Sequence, residues 1–257
     1  MSNTSYRQYE WSSSPGDSRI TWAVQTLILA NVITFAAQLV IDIPFGGPRL
    51  GIPGAAVAEW LGLHFQASEV ARGYLWQPFT YMFLHGGLMH LAGNMLWLYF
   101  FGPDVERILG SRQFCWFYVI CGAAGVLINF APIMTLQTNT VVGASGAVMG
   151  VLVAYAMTNP ERQFFFFPFP FPINARAMVA IVVAMNIVSA LSGTTTSVAT
   201  HFGGMAVGAA YMKYVPVLRA WQAKRERAAR PKSEPDDKIG EAVDNIFKFD
   251  SKKSRRK

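Results

Sequence analysis

A serine flanked by glycines lies in a long stretch without charged residues. The stretch includes VVGASGAVMG at residues 141–150, and the serine is Ser145. Such a serine can be a packing residue, a helix cap or a nucleophile. The apolar residues that follow predict a helix that starts near Gly143, which would put Ser145 in its first turn. Backbone N–H groups there lack helical partners and form the positive end of the helix dipole, which suits an oxyanion.

Polar side chains elsewhere in the apolar stretches could complete this chemistry. His201 is a candidate general base for the Ser145 hydroxyl, which would let the serine attack a carbonyl. His90 and Asn94 are four residues apart, so they project from one helix face. They could hold the oxyanion together with the serine N–H. His85, five residues before His90, is expected to point elsewhere. No Asp or Glu is available as a third member, so the sequence predicts a Ser–His dyad.

The elements that carry these residues are predicted to be transmembrane helices. Of the 257 residues, 52% are hydrophobic and 14% charged, whereas a soluble domain is about a quarter charged. Crossing the hydrocarbon takes roughly 20 apolar residues. The uncharged stretches therefore predict an all-α membrane protein with six spans, at about 20–41, within 76–101, within 114–134, from 143 to 158, from 177 to 191 and from 198 to 214.

Lys and Arg residues predict the orientation, because they accumulate in cytoplasmic loops. Basic residues precede span one, separate spans two and three and spans four and five, and follow span six. Both termini are therefore predicted to be cytoplasmic. The predicted organisation is a cytoplasmic segment 1–19, a six-span domain 20–215 that includes an outer loop 43–75, and a basic, flexible cytoplasmic tail 216–257.

This orientation places the polar residues of spans two, four and six at one depth, below the outer surface. Ionisable residues inside a membrane are costly and by default mark a functional site. Small-xxx-small pairs would let spans four and six approach closely, so that Ser145 and His201 could come within hydrogen-bonding distance. The pairs are Gly146 with Gly150 and Gly204 with Gly208.

Other interpretations of these residues are open at this point. Taken alone, Ser145 could cap a helix, and such glycine pairs usually serve packing. His201 could line a water cavity or, with His90, bind a haem or metal. A hydrolase nucleophile elbow is excluded, because GASGA lacks the second glycine of G-x-S-x-G and no strand precedes it. Cys115 and Cys121 lie on different faces of span three, which indicates core residues and not a disulfide or metal pair.

Three segments together resemble the rhomboid family of intramembrane serine proteases. They are HGGLMHLAGN in span two, GASGAVMG opening span four and HFGGMAVG in span six, and the resemblance covers roughly residues 20–215. It implies that Ser145 is the nucleophile and His201 its base. His90 and Asn94 would stabilise the oxyanion, and His85 would tie span two to the outer loop. The residues predicted to support the site structurally are Gly143, Gly146, Met149, Gly150, Gly204 and Gly208.

Three positions depart from the family pattern. Gln77 follows Trp76 where an arginine is common, and Thr200 stands where a small apolar residue is expected. Met149 occupies a position where an aromatic commonly stacks on the base. A thioether can still pack against an imidazole ring.

The sequence and the resemblance together predict partners and a location. Substrates would be transmembrane proteins cut near the outer membrane face, with no cofactor or metal. The net charge of +7 fits positive-inside topology and membrane lipids rather than nucleic acid, and IGEAVDNIFKF in the tail predicts a short amphipathic helix. The absence of a transit peptide favours a bacterial plasma membrane. A rhomboid-like binder without catalytic activity is the alternative function.

Overall fold

The computed structural model describes residues 20–42, 55–64, 74–126, 140–165, 172–192 and 196–229, which are predominantly helical. The helices are α1 Trp22–Asp42, α2 Ala55–Leu61, α3 Gln77–Thr80, α4 Leu88–Leu109, α5 Ser111–Gly125, α6 Ser145–Thr158, α7 Ala175–Leu191 and α8 Thr196–Ala229. A 3-10 turn covers Tyr81–Phe83. Two strands of two residues each, β1 Gln163–Phe164 and β2 Ile173–Asn174, pair in antiparallel orientation. The expected all-α architecture did not include them.

Two compact units divide the chain, Met1–Met212 and Lys213–Lys257, and the candidate site lies in the first. Several predicted features lie outside the described residues. They are the segment 1–19, most of the outer loop 43–75, residues 127–134 of span three, the linker residues 135–139 and 193–195, and the tail beyond residue 229 with IGEAVDNIFKF.

The helices overlap the predicted spans, but α4 and α8 run past the predicted ends at 101 and 214, and span two is interrupted. Span two is not a single helix, because the 3-10 turn ends at Phe83 and α4 begins only at Leu88. Gly86 and Gly87 lie in this break, and glycine is a poor helix former. In the part of the chain that is described, one helix is long and apolar enough to cross a membrane alone, Trp22–Ile41, with a mean hydropathy of 1.9.

Large apolar side chains cover the outer surface of several helices. Fully or largely exposed examples are Leu29, Ile33, Phe100, Met185 and Leu191. So many exposed large apolar side chains on helices fit a lipid environment better than water. The number of spans and their orientation stay predictions.

Helix α6 lies at the centre of the described helices. It packs against α4, α5 and α7, and apolar residues such as Ala147, Val151 and Leu152 are almost fully buried around it. A helix that is apolar on all sides is stable only when neighbours surround it. The core of the molecule therefore holds Ser145, the first residue of α6, in place.

Glycines let α8 meet α5 and α6 backbone to backbone. A Cβ added to Gly125 of α5 would lie 2.6 Å from the Gly204 nitrogen, and one added to Gly208 would lie 2.8 Å from the Gly150 Cα. Side chains do not fit at such distances. The close approach of spans four and six that the glycine pairs predicted is present in the structure.

A carboxylate at the end of α4 caps the start of α1. Glu106 accepts the backbone N–H groups of Ala23 and Val24 at 3.0 and 2.9 Å, and the hydroxyls of Thr21 and Ser111 also donate to it. A negative charge is favourable at a helix N-terminus. Burial raises the pKa of the Glu106 carboxyl, but the four hydrogen bonds together lower it more, so the pKa lies below its ordinary value.

The described part of the outer loop is tied to the segment before α4. The Trp76 indole N–H donates to the Trp60 carbonyl at 3.0 Å, and the Gln77 Oε1 accepts the His64 backbone N–H at 3.4 Å. The glutamine at this position, a departure from the family pattern, therefore makes a hydrogen bond to the loop.

Candidate active site

Ser145 is the first residue of α6. The N-cap residue is Ala144, so the interpretation of Ser145 as a helix cap is wrong. The segment before it is anchored by backbone hydrogen bonds. Leu63 and Val141 form an isolated antiparallel bridge, and the Gly143 N–H donates to the Tyr81 carbonyl at 2.9 Å. These bonds fix where the central helix begins.

Gly143 brings the imidazole of His90 close to this helix start. Its φ of +123° lies in the region that favours glycine, and a Cβ there would lie 2.6 Å from His90 Cε1. The His90 ring therefore rests against the chain two residues before Ser145. The structure thus brings together the predicted oxyanion histidine and the predicted nucleophile segment.

His85 packs edge-on against His90, with ring centroids 5.2 Å apart and an interplanar angle of 67°. The expectation that His85 points elsewhere is wrong, because helical spacing does not extend across the glycine break before α4. The buried backbone of His85 exchanges two hydrogen bonds with the Gln38 side chain of α1, at 3.0 and 3.3 Å. Its implied tie to the outer loop stays a prediction, since much of that loop lies outside the described residues.

Asn94 lies one turn after His90 on α4. It is only 6% exposed, and its Nδ2 has no hydrogen-bond partner among the described residues. His90 is exposed. Helix α4 therefore presents an accessible imidazole and a buried amide donor, and it packs directly against α6.

His201 lies near the start of α8, and the chain around it packs on the start of α6. A Cβ added to Gly146 would lie 2.9 Å from the methyl carbon of Thr200, which is buried. Nε2 of His201 is also buried and has no hydrogen-bond partner in the described part of the chain. Ser145 Oγ therefore does not reach this nitrogen here. Catalytic hydrogen bonds are often long without substrate and tighten in the complex.

Asn186 of α7 is the residue that sequence reasoning missed. Its Oδ1 lies 2.6 Å from Nδ1 of His201, and its side chain is buried. Asn186 is neither Asp nor Glu, the residues that usually orient a catalytic histidine. A polar residue within the apolar run VVAMNIVSAL was the available signal.

Met149 and the two cysteines, which the sequence also singled out, pack within the helices. Met149, one turn after Ser145, is half-buried against the core, and its predicted contact with the base stays a prediction. Cys121 lies against Gly150, and both Cys121 and Cys115 are free thiols. Within the described ranges no three His, Cys, Asp or Glu side chains are grouped to hold a metal ion. The arrangement offers the Ser145 hydroxyl at a helix start, the N–H groups of the first helical turn as donors, and a His201 nitrogen without a partner in the described part of the chain.

Comparison with known proteins identifies the family. Residues 72–216 match the Rhomboid domain, which is more than half of the chain. The chain belongs to the rhomboid family. The rhomboid match contains all the candidate residues from His85 to His201, and it confirms the resemblance found in the sequence. Rhomboid proteins are integral membrane proteins, and the family supports a protease-like function.

Rhomboid proteins of plants, bacteria and mitochondria are similar to this chain. RHOMBOID-like protein 2 of Arabidopsis thaliana is 26% identical over 87% of this chain and 77% of its own length. Rhomboid protease GluP of Bacillus subtilis (strain 168) is 32% identical over 55% of this chain and 26% of its own length. The mitochondrial presenilin-associated rhomboid-like protein of Rattus norvegicus is 33% identical, over 56% and 41% respectively. The chain thus spans less than half the length of the last two.

Proposed function

We propose that this rhomboid protein is an intramembrane serine endopeptidase that cleaves transmembrane proteins through Ser145 and His201. One observation carries the proposal. Nε2 of His201 is buried without a hydrogen-bond partner among the described residues, beside the start of the helix that Ser145 opens. A buried polar atom left unpaired costs free energy, so it calls for an explanation. Accepting the proton of the serine hydroxyl explains it.

Catalysis then proceeds in two half-reactions. His201 Nε2 takes the hydroxyl proton as Ser145 Oγ attacks the scissile carbonyl, which forms a tetrahedral oxyanion. When the oxyanion collapses, the C–N bond breaks and His201 returns the proton to the leaving amine. Water hydrolyses the acyl-enzyme in the same way, with His201 again as base, and frees Ser145.

The donors around the helix start would stabilise the oxyanion. The N–H groups in the first turn of α6 have no helical acceptor and lie at the positive end of the dipole. The Asn94 amide has a donor without a partner among the described residues, and the His90 ring lies against Gly143. Donors that are already in place need little reorganisation during the reaction.

The membrane restricts which substrate segments can be cleaved. A regular transmembrane helix hydrogen-bonds its carbonyls internally, so a segment must unwind before Ser145 can attack it. We therefore expect cleavage near the outer membrane face, in segments with helix-weakening residues. Both termini would be cytoplasmic in a six-span topology, and the bacterial plasma membrane is the proposed location.

The test is cleavage of membrane-anchored candidate substrates by purified protein, together with fluorophosphonate labelling. Ser145→Ala and His201→Ala should each abolish detectable turnover, because neither half of a dyad works alone. Ser192→Ala is the control, since the hydroxyl of this exposed serine at the end of α7 donates to the Val188 carbonyl of its own helix. It should retain labelling and cleavage. Normal cleavage by Ser145→Ala would overturn the proposal and favour the non-catalytic binder.

A further inference from the structure

We propose that Asn186 is a positioning residue that holds His201 in the tautomer required of a general base. The proposal rests on the function proposed for Ser145 and His201. It adds a third member to the site, from α7, that the dyad does not include. Asn186 acts through His201 and has no part in bond making.

The orientation of the Asn186 amide is set by two neighbours. Its Nδ2 donates to the Val182 carbonyl at 2.8 Å, and its Oδ1 lies 2.6 Å from Nδ1 of His201. A carbonyl can only accept a hydrogen bond, and the amide donates only through its nitrogen. The nitrogen must therefore face Val182, which leaves the oxygen to face the imidazole.

This orientation determines which imidazole nitrogen carries the proton. Because Oδ1 only accepts, Nδ1 of His201 must donate, and in a neutral imidazole the lone pair is then on Nε2. Nε2 is the buried atom without a partner in the described part of the chain. When Nε2 takes the serine proton, the Nδ1–H···Oδ1 bond is retained. The ring therefore needs no rearrangement between the two states.

A neutral amide suits this place better than a carboxylate. Asn186 is 9% exposed and lies in α7, within a stretch without charged residues. An ionised side chain in such a position inside a membrane would be costly. The amide orients the imidazole across the α7–α8 contact without burying an anion.

Two substitutions of Asn186 distinguish a positioning role from a packing role. Asn186→Leu keeps a side chain of similar size but removes the acceptor. By analogy with losing the partner that orients a metal-binding histidine, kcat should fall about 10- to 100-fold, with little change in KM. Asn186→Asp keeps an acceptor and should retain most of the kcat, although the buried charge should lower the melting temperature. Activity and stability should thus rank the two variants in opposite orders.

Asn31→Leu is the matched control. Asn31 is a buried asparagine of α1 that donates to the Leu27 carbonyl at 2.8 Å, the same bond that Asn186 makes to its own helix. It should leave kcat unchanged. In addition, nitrogen-15 NMR of the wild-type protein should show His201 protonated at Nδ1 and not at Nε2, a result that does not depend on any variant folding.

The inference is overturned if wild-type His201 is protonated at Nε2, or if Asn186→Leu keeps the wild-type kcat. It is also overturned if Asn186→Asp is less active than Asn186→Leu, because activity would then follow stability alone. These outcomes leave the protease function intact as long as Ser145→Ala and His201→Ala are inactive. Cleavage by Ser145→Ala would instead remove the function on which the inference rests.

Discussion

Gly204 of α8 packs directly on the backbone carbonyl of Gly146 in α6, one residue after Ser145. The atoms opposite Gly204 are backbone atoms, so no flexible side chain can move aside for a larger residue. His201 lies one turn before Gly204 on α8. The distance between the proposed base and the proposed nucleophile therefore depends on this contact.

We expect Gly204→Ala to force α6 and α8 apart. Overpacking of this kind typically costs about 1–3 kcal/mol, and here it would also separate Ser145 from His201. Melting temperature and substrate cleavage should both fall. Gly93→Ala is the control, because a Cβ on this α4 glycine would meet none of the described residues within 4 Å. Equal effects of the two substitutions would show that the glycine contact has no special role.

Gly143→Ala should lower activity strongly. An alanine at φ +123° is strained by about 1–3 kcal/mol, and its Cβ would collide with the His90 ring. Gly87→Ala is a suitable comparison, since its backbone is extended and its Cβ would lie more than 4 Å from every group in the described ranges beyond its chain neighbours. That variant should behave like the wild type in cleavage assays. Full activity of Gly143→Ala would contradict the arrangement of the His90 ring.

Loss of an oxyanion donor should slow cleavage, whereas loss of Ser145 or His201 should abolish it. His90→Ala or Asn94→Ala should slow cleavage by roughly 10²- to 10³-fold, the typical cost of losing one oxyanion donor. Fluorophosphonate labelling of Ser145 should persist, because the nucleophile and its base remain. Turnover and labelling rates measured side by side test this. If both variants cleave at the wild-type rate, neither side chain holds the oxyanion.

Stability should depend on pH through Glu106. Its pKa is lower in the folded protein than in the unfolded chain, so its contribution is present above the ordinary carboxyl pKa and is lost as pH falls through the folded value. Glu106→Gln should lower the melting temperature at neutral pH and reduce its loss in acid. Melting curves from pH 7 down to about pH 3, across the ordinary Glu pKa, measure both effects.

Glu161→Gln is the matched control for that experiment. Glu161 pairs with Arg176 at 2.7 Å, but both side chains are largely exposed, and exposed ion pairs contribute little. Its melting curves should follow those of the wild type. An unchanged acid response in Glu106→Gln would show that another carboxylate is responsible.

Local sequence patterns predicted the positions of the long helices and the family, but not the break within span two. The four-residue spacing of His90 and Asn94, the apolar run after Ser145 and the glycine pairs at 146 and 150 and at 204 and 208 all predicted features found in the structure. These features follow from helical periodicity and residue size, which are properties of a short stretch of chain. The three motifs in order were enough to indicate the rhomboid family, which the domain match confirmed.

Tertiary structure alone decided which side chains meet. The contact of His85 with His90 depends on a turn at the glycine break, where helical spacing no longer applies. The hydrogen bond of Asn186 to His201 joins two helices, and it depends on the rotation and depth of α7 against α8. Periodicity states which face of a helix is polar but not which neighbour that face meets. Packing between helices determines which neighbour it meets, and glycines at the contacts let the backbones approach closely.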